Sequence, residues 1–311
     1  MPKIAALAAR VDEVTVLADG AVPGVLPDNC RVRLFRSPWK LGRGLRFEAA
    51  LAAELAARRP ERILAHMCPI YAVLAAPLAR PLRVRLLLWY THWHASPTLR
   101  LAEPLVDRVV SVERGSFPLE STKVTPTGHG IELAEFGCVP PQPADGLRVL
   151  ALGRTSPSKG LDTIVRAVAQ VDNARLRLVG PSSSAEERRH RAELEVLAAG
   201  LPVSIEEPVA RAELPGLFAE TDVLVNNMRA GAPDKVVYEA GASCVPVLAS
   251  NPIFADMLQP FPREDVDELA RRLRAFAALG PEERARIGRG LREKVAEGHS
   301  IDSWAERVLA A

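Results

Sequence analysis

Residues Leu152 to Gly160 read LGRTSPSKG and lie between an apolar run and an amphipathic one. Ahead of them Leu147, Val149, Leu150, Ala151 and Leu152 have the density of a buried strand. Behind them Leu161, Ile164, Val165 and Val168 recur at i, i+3, i+4 and i+7, the spacing of one helix face. The stretch is therefore a strand-to-helix loop at a carboxyl strand end, which predicts an α/β fold built on parallel strands. Ser156, Pro157, Ser158 and Gly160 suit a tight turn, the helix start offers unbonded N–H donors, and Arg154 and Lys159 add two positive charges. Such a loop holds an anion, and a diphosphate is its natural occupant. A solvated basic pair on a surface loop is the plain alternative, and this loop alone leaves both open.

The same alternation runs through the chain. Strand-length apolar runs at Val14 to Leu17, Val32 to Phe35, Ile63 to His66, Val84 to Tyr90 and Val109 to Val112 are separated by helical stretches. Gly137 to Gly146, GCVPPQPADG, interrupts the pattern as a linker would, and strands resume around Leu150, Leu178, Ile205, Val223 and Val247. Two Rossmann-like, doubly wound domains are expected, over 1–138 and 148–311, joined by 139–147. At 311 residues and 48% hydrophobic the chain has enough apolar mass for two cores. Facing domains of this kind would form a cleft lined by carboxyl strand ends, where such sheets bind ligands.

Charge is uneven. Residues 1–138 hold 18 basic against 13 acidic side chains, +5, and the remainder 22 against 25, −3, within a net charge of +2. Most such excess serves solubility; an anionic acceptor or membrane surface is the functional reading, with Lys40, Arg43 and Arg46 as the patch. No basic stripe interleaved with aromatics points to nucleic acid. Cys30, Cys68, Cys138 and Cys244 have no paired spacing, so neither a disulfide framework nor a zinc site is indicated, and a reducing cytoplasm is expected. Ile63 to Ala79 is the longest apolar stretch, but His66, Pro69 and Pro77 divide it into a strand and a helix better than they fit a membrane span. No signal peptide is evident.

Further along, Ala232 to Ser250 reads APDKVVYEAGASCVPVLAS: a Pro-Asp turn, a short helix with Lys235 and Glu239 at i, i+4, and an apolar strand from Val245 to Leu248. An ordinary surface ion pair would explain the two charges, although so short and alanine-rich a helix is hardly solvated all round. Together the two segments resemble the donor site of the retaining family 4 glycosyltransferases, which pair a GR-x4-KG loop with an EAMA-x-G-x-PVVAS helix and strand. LRLVGP (176–181), LPGLFAETDVLVNN (214–227), KVTPTGHGIELAEF (123–136) and Ser303-Trp304-Ala305-Glu306 are similar to further segments of that family, in order, so the resemblance covers nearly the whole chain.

The resemblance implies a GT-B fold, with nucleotide sugar on the carboxy-terminal domain, acceptor on the amino-terminal one, and the last helix, about 301–311, packing toward the latter. It implies a metal-independent, hexosyltransferase-type enzyme of glycan biosynthesis. No cofactor is needed beyond the nucleotide-diphosphate sugar substrate. The acceptor, a glycan, lipid-linked or small molecule, is left open. By residue, Arg154 and Lys159 would stabilise the charge growing on the leaving diphosphate and so count as catalytic. Gly153, Arg154, Lys159, Asp234, Lys235, Val236 and Glu239 would bind donor. In that set Glu239 accepts the ribose hydroxyls, and the amides of Asp234, Lys235 and Val236 meet phosphate or sugar oxygens. Lys235 pairing with Glu239 is the alternative. His92, at the end of an expected strand, matches the family's catalytic histidine better than His94 does; two surface histidines are the plain reading. His129 reads as a loop or hinge residue. A cytoplasmic protein is expected, with peripheral contact to the inner membrane face.

Two departures stand against this. Gly231 occupies the place of a family glutamate eight residues before Glu239, and Ile4 to Gly20 resembles the family's first helix and second strand, so the chain opens one element late. A truncated start is the expected cause. A non-catalytic nucleotide-binding partner or regulatory subunit is the rival reading, and a nucleotide-sugar epimerase the third.

Overall fold

In the computed structural model, which describes residues 2–22, 24–139 and 145–311, the chain divides into two compact units: residues up to Gly130 together with Ser300–Ala311, and Ile131–His299. Part of the expected linker, residues 140–144, lies outside the described residues.

The first unit runs α1 (Pro2–Ala8), β1 (Val14–Ala18), β2 (Cys30–Leu34), α2 (Lys40–Arg58), β3 (Arg62–His66), α3 (Pro69–Ala79), β4 (Arg85–Trp89), α4 (Pro97–Ala102), β5 (Arg108–Ser111) and β6 (Val124–Pro126). Ile63 to Ala79 is thus a strand and a helix, divided at the residue before Pro69, as proline geometry requires. Every strand pairing is parallel, but the strands form two sheets: β1 with β2, and β3-β4-β5-β6 in sequence order. Among the described residues no strand joins β1 to β3. Central β4 buries Leu86, Leu87, Leu88 and Trp89 in succession, the signature of a parallel strand covered on both faces. The core beneath it is closed by Phe47, Leu51 and Leu55 of α2 and the alanines of α3. The sequence reading missed β6, whose three residues carry too little pattern to register.

The second unit runs β7 (Leu147–Leu152), α5 (Leu161–Val168), β8 (Ala174–Val179), α6 (Ala185–Leu197), β9 (Val203–Glu206), α7 (Leu214–Ala219), β10 (Val223–Asn226), α8 (Lys235–Ala242), β11 (Val247–Ala249), α9 (Val266–Ala277) and α10 (Pro281–His299). Its parallel sheet has the order β11-β10-β7-β8-β9. The strand order reverses between β7 and β10, so the loops leaving those two strands diverge to opposite faces and open a crevice at their carboxyl ends. Beyond α10 the chain returns to the first unit, where α11 (Ile301–Ala310) packs on α1 and its fully buried Trp304 meets the Trp89 ring edge-on at 5.6 Å.

One expectation is corrected here. Cys138 and Cys244 are joined by a disulfide, their Cα atoms 5.0 Å apart across a sequence separation of 106. Nothing local announces it, because the fold of the intervening strands is what brings the loop after α8 back to the start of this unit. Cys30 and Cys68 are free. The bond removes the cysteine argument for a reducing compartment. Among the described residues no helix is long and apolar enough to cross a membrane.

Candidate functional site

Both singled-out segments of the second unit lie at its switch point. The chain leaves β7 through Gly153, turns through a short 3-10 helix at Pro157–Lys159 capped by the Ser156 hydroxyl, and enters α5 through Gly160. Gly160 has φ +54, a left-handed conformation that glycine adopts at least cost, and an added Cβ would strike the Asn227 amide after β10. Gly180, at the end of β8, packs so closely that a Cβ would collide with the Gly153 carbonyl oxygen. Sequence-distant loops are in this way locked around the β7 exit.

Lys159 is largely buried and forms an ion pair with Asp234 from the β10 side. Asp234 also accepts a 2.8 Å hydrogen bond from the Asn226 side-chain amide. It is the residue before α8, yet its carboxylate does not cap that helix, so the first-turn N–H groups beginning at Lys235 and Val236 have no side-chain cap. The Oδ1 atoms of Asn226 and Asn227 are buried without a hydrogen-bond partner among the described residues, two orphaned acceptors at the crevice. Arg154 reaches away from Lys159: its Nη1 donates to Glu187 Oε1 at 3.1 Å, and two-thirds of its side chain is exposed. Glu187 also accepts the N–H groups of Ser183 (2.8 Å) and Ser184 (3.1 Å), completing the capping box of α6. Chiefly the Ser184 N–H, then that of Ser183 and the Arg154 guanidinium, hold this carboxyl below its usual range against the opposing effect of burial.

Glu239, one turn into α8, is buried but for a sliver of its side chain. Its Oε1 accepts Lys235 Nζ at 2.5 Å and Arg211 Nη1 at 3.0 Å. The alternative role read for Lys235, pairing with Glu239, is the arrangement found. Arg211 also bridges to Glu135 at 2.5 Å, and sequence reasoning missed it: it arrives from the loop after β9, where nothing local marks it. Glu187, Asn226 and Asn227 were likewise unassigned. Gly231, in place of the family glutamate, has φ +126 and gives its carbonyl to the Asn251 amide at 3.2 Å. A side chain there would be strained.

His92 belongs to the first unit, just past β4. Its Nδ1 accepts the backbone N–H of His94 at 3.0 Å, which fixes the neutral ring as the Nε2–H tautomer, and its ring stacks on Trp93 at 5.3 Å. His94 packs edge-on against Trp93. His129 sits between Gly128 and Gly130, both left-handed, at the point where the chain leaves the first unit.

Residues 146–278 match the family model described as glycosyl transferases group 1. No curated protein matches the sequence. Among solved structures, sucrose-phosphate synthase from Thermosynechococcus elongatus is 21% identical, with a TM-score of 0.81 over 99% of this chain and 90% of that one. A glycosyltransferase from Rickettsia africae is 13% identical, with a TM-score of 0.82 over 99% and 92%. HepE of Anabaena, solved in complex with UDP-glucose, is 18% identical, with a TM-score of 0.77 over 99% and 93%. The fold is therefore GT-B, with two Rossmann-like domains, and the second unit carries the glycosyl transferases group 1 sequence pattern across both crevice loops.

Proposed function

We propose that the protein is a retaining, metal-independent glycosyltransferase of hexosyl type that moves a sugar from a nucleotide-diphosphate sugar to an acceptor hydroxyl. One observation carries the reading: Lys159 from the β7 loop and Asp234, Lys235 and Glu239 from the β10 side converge on one switch point, inside the stretch that matches the family model.

The chemistry follows from what these groups can exchange. A diphosphate entering the crevice competes with Asp234 for Lys159, and carries more negative charge than the carboxylate it displaces. Exposed Arg154 can swing from Glu187 to the same anion. As the glycosidic bond breaks, charge accumulates on the departing nucleotide, and these two cations stabilise it without a metal ion. The uncapped first turn of α8, with the amides of Lys235 and Val236, adds fixed N–H donors, and Gly153 gives the phosphates room at the strand end. Glu239 accepts the ribose hydroxyls once Arg211 and Lys235 share its carboxylate with them. To His92, in the first unit, we assign the role toward the transferred sugar that the resemblance implies for it. HepE binds UDP-glucose, which makes uridine the first base to try.

Calorimetry without metal tests this: of UDP, GDP and ADP, one is expected to bind in the micromolar range. Lys159→Ala and Glu239→Ala should each weaken that binding by about 1.5 to 3 kcal/mol, the range for hydrogen bonds to charged groups. Unchanged affinity in both variants would remove the site assignment. Gly231 favours a second reading, a nucleotide-binding partner without activity, since the carboxylate it replaces is absent. Nucleotide binding with no sugar transfer or donor hydrolysis would select that reading.

A further inference from the structure

Helix α2 departs from the pattern of a surface helix. Over its 19 residues one side buries Phe47, Leu51 and Leu55, as expected. The opposite side ought to be charged, yet it presents Leu41, Leu45, Ala49, Ala52 and Ala56, all exposed, and no exposed charge stands between Arg46 and Arg58. Leu41 is 82% and Leu45 63% exposed, and Trp39, immediately before the helix, is 76% exposed. An apolar stripe with a tryptophan at its end is costly to leave in water.

The charges around it say what covers it. From Arg36 to Arg46 the sequence RSPWKLGRGLR holds Arg36, Lys40, Arg43 and Arg46 and no acid, and Arg58 and Arg59 close the other end. Arg43 is taken up with Asp19 and the Ser37 carbonyl, and Arg46 leans on the Arg36 carbonyl, whereas Arg36 and Lys40 are exposed. A second copy of the chain pairing antiparallel along this stripe would set the Arg36–Arg46 end against Arg59 of the other copy, like charge on like, Arg58 being paired with Glu13 and Glu54. A flat anionic surface with an apolar interior suits all of it: basic side chains at the headgroups, Trp39 at the interface, the leucines below.

We propose that the first unit docks on anionic bilayers through the outward face of α2, with Trp39, Leu41 and Leu45 inserted and Arg36 and Lys40 on the lipid phosphates. The face lies wholly in the first unit, so nucleotide-binding results neither support nor remove it.

The whole chain is sedimented with vesicles of phosphatidylcholine alone and of equal parts phosphatidylcholine and phosphatidylglycerol. Binding to the anionic vesicles only, reversed by high salt and reduced about tenfold or more in Leu41→Ser/Leu45→Ser, is the expected result. Both positions are exposed, so the variant keeps its fold, checked by circular dichroism. Fluorescence supplies a second readout. Trp89 and Trp304 are buried and report little, so in a Trp93→Phe background the blue shift on adding anionic vesicles comes from Trp39. No binding to either vesicle, equal binding by the serine variant, an unshifted Trp39, or a dimer in solution that the serine variant dissolves would each overturn the proposal.

Discussion

Lys159 is already paired with Asp234, so in the proposed donor complex the affinity it adds would be a difference between two ion pairs. That keeps the expected loss in Lys159→Ala moderate. The role proposed for His92 is in transfer rather than in donor binding, so His92→Ala should leave nucleotide affinity unchanged and lower the transfer rate; full-rate transfer by the variant removes it from the mechanism. Glu187 offers a pH test. Its folded carboxyl titrates below the usual value, so the stability it contributes is fully present above about pH 4.5 and is lost as pH falls through its folded value. Glu187→Gln should therefore be less stable than the parent at neutral pH, with the difference shrinking in acid; denaturant midpoints at pH 7 and pH 3 check it, and a difference that stays constant removes the carboxylate's role. At this scale the sequence was informative where charge and turn residues were contiguous, as in Arg154 to Gly160. It was silent where one side chain arrives alone from another strand end, as Arg211 and Glu187 do, because a single Arg or Glu in a polar loop has no period or spacing to mark it.

Among elements, the switch point depends on close approach of backbones. Gly180 of the β8 exit touches the Gly153 carbonyl, so Gly180→Ala must push the β8 and β7 loops apart. The cost should be about 1 to 3 kcal/mol of stability, the range for overpacking, together with weaker nucleotide binding, since Gly153 opens the loop that carries Lys159. Chemical denaturation and calorimetry on the same sample check both; a loss of stability at full affinity would separate the packing from the site. Strands and helices were largely legible because parallel sheets write long apolar runs, as β4 and β10 do. The short β6 was not, and neither was the division of the first unit's strands into two sheets, since strand order is a matter of pairing that hydrophobicity does not encode.

For the molecule as a whole, the disulfide is the feature no reading of cysteine spacing could supply. It closes a loop spanning β7 to α8, and a disulfide typically stabilises the folded state by about 2 to 4 kcal/mol. Thermal melts of the parent with and without reductant should differ, and those of Cys138→Ser should not; coincident parent melts would deny the bond a structural role. One further consequence comes from the way the first unit is assembled from two pieces of chain, with Trp304 filling a space beside Trp89. On the ribosome the residues up to Gly130 emerge first but lack their final core side chain, while Ile131–His299 is contiguous and can close as soon as it has left the exit tunnel. Of the two units, the one whose synthesis begins first is therefore the one that matures last, and until α11 has emerged its unfinished core is the surface a chaperone would find.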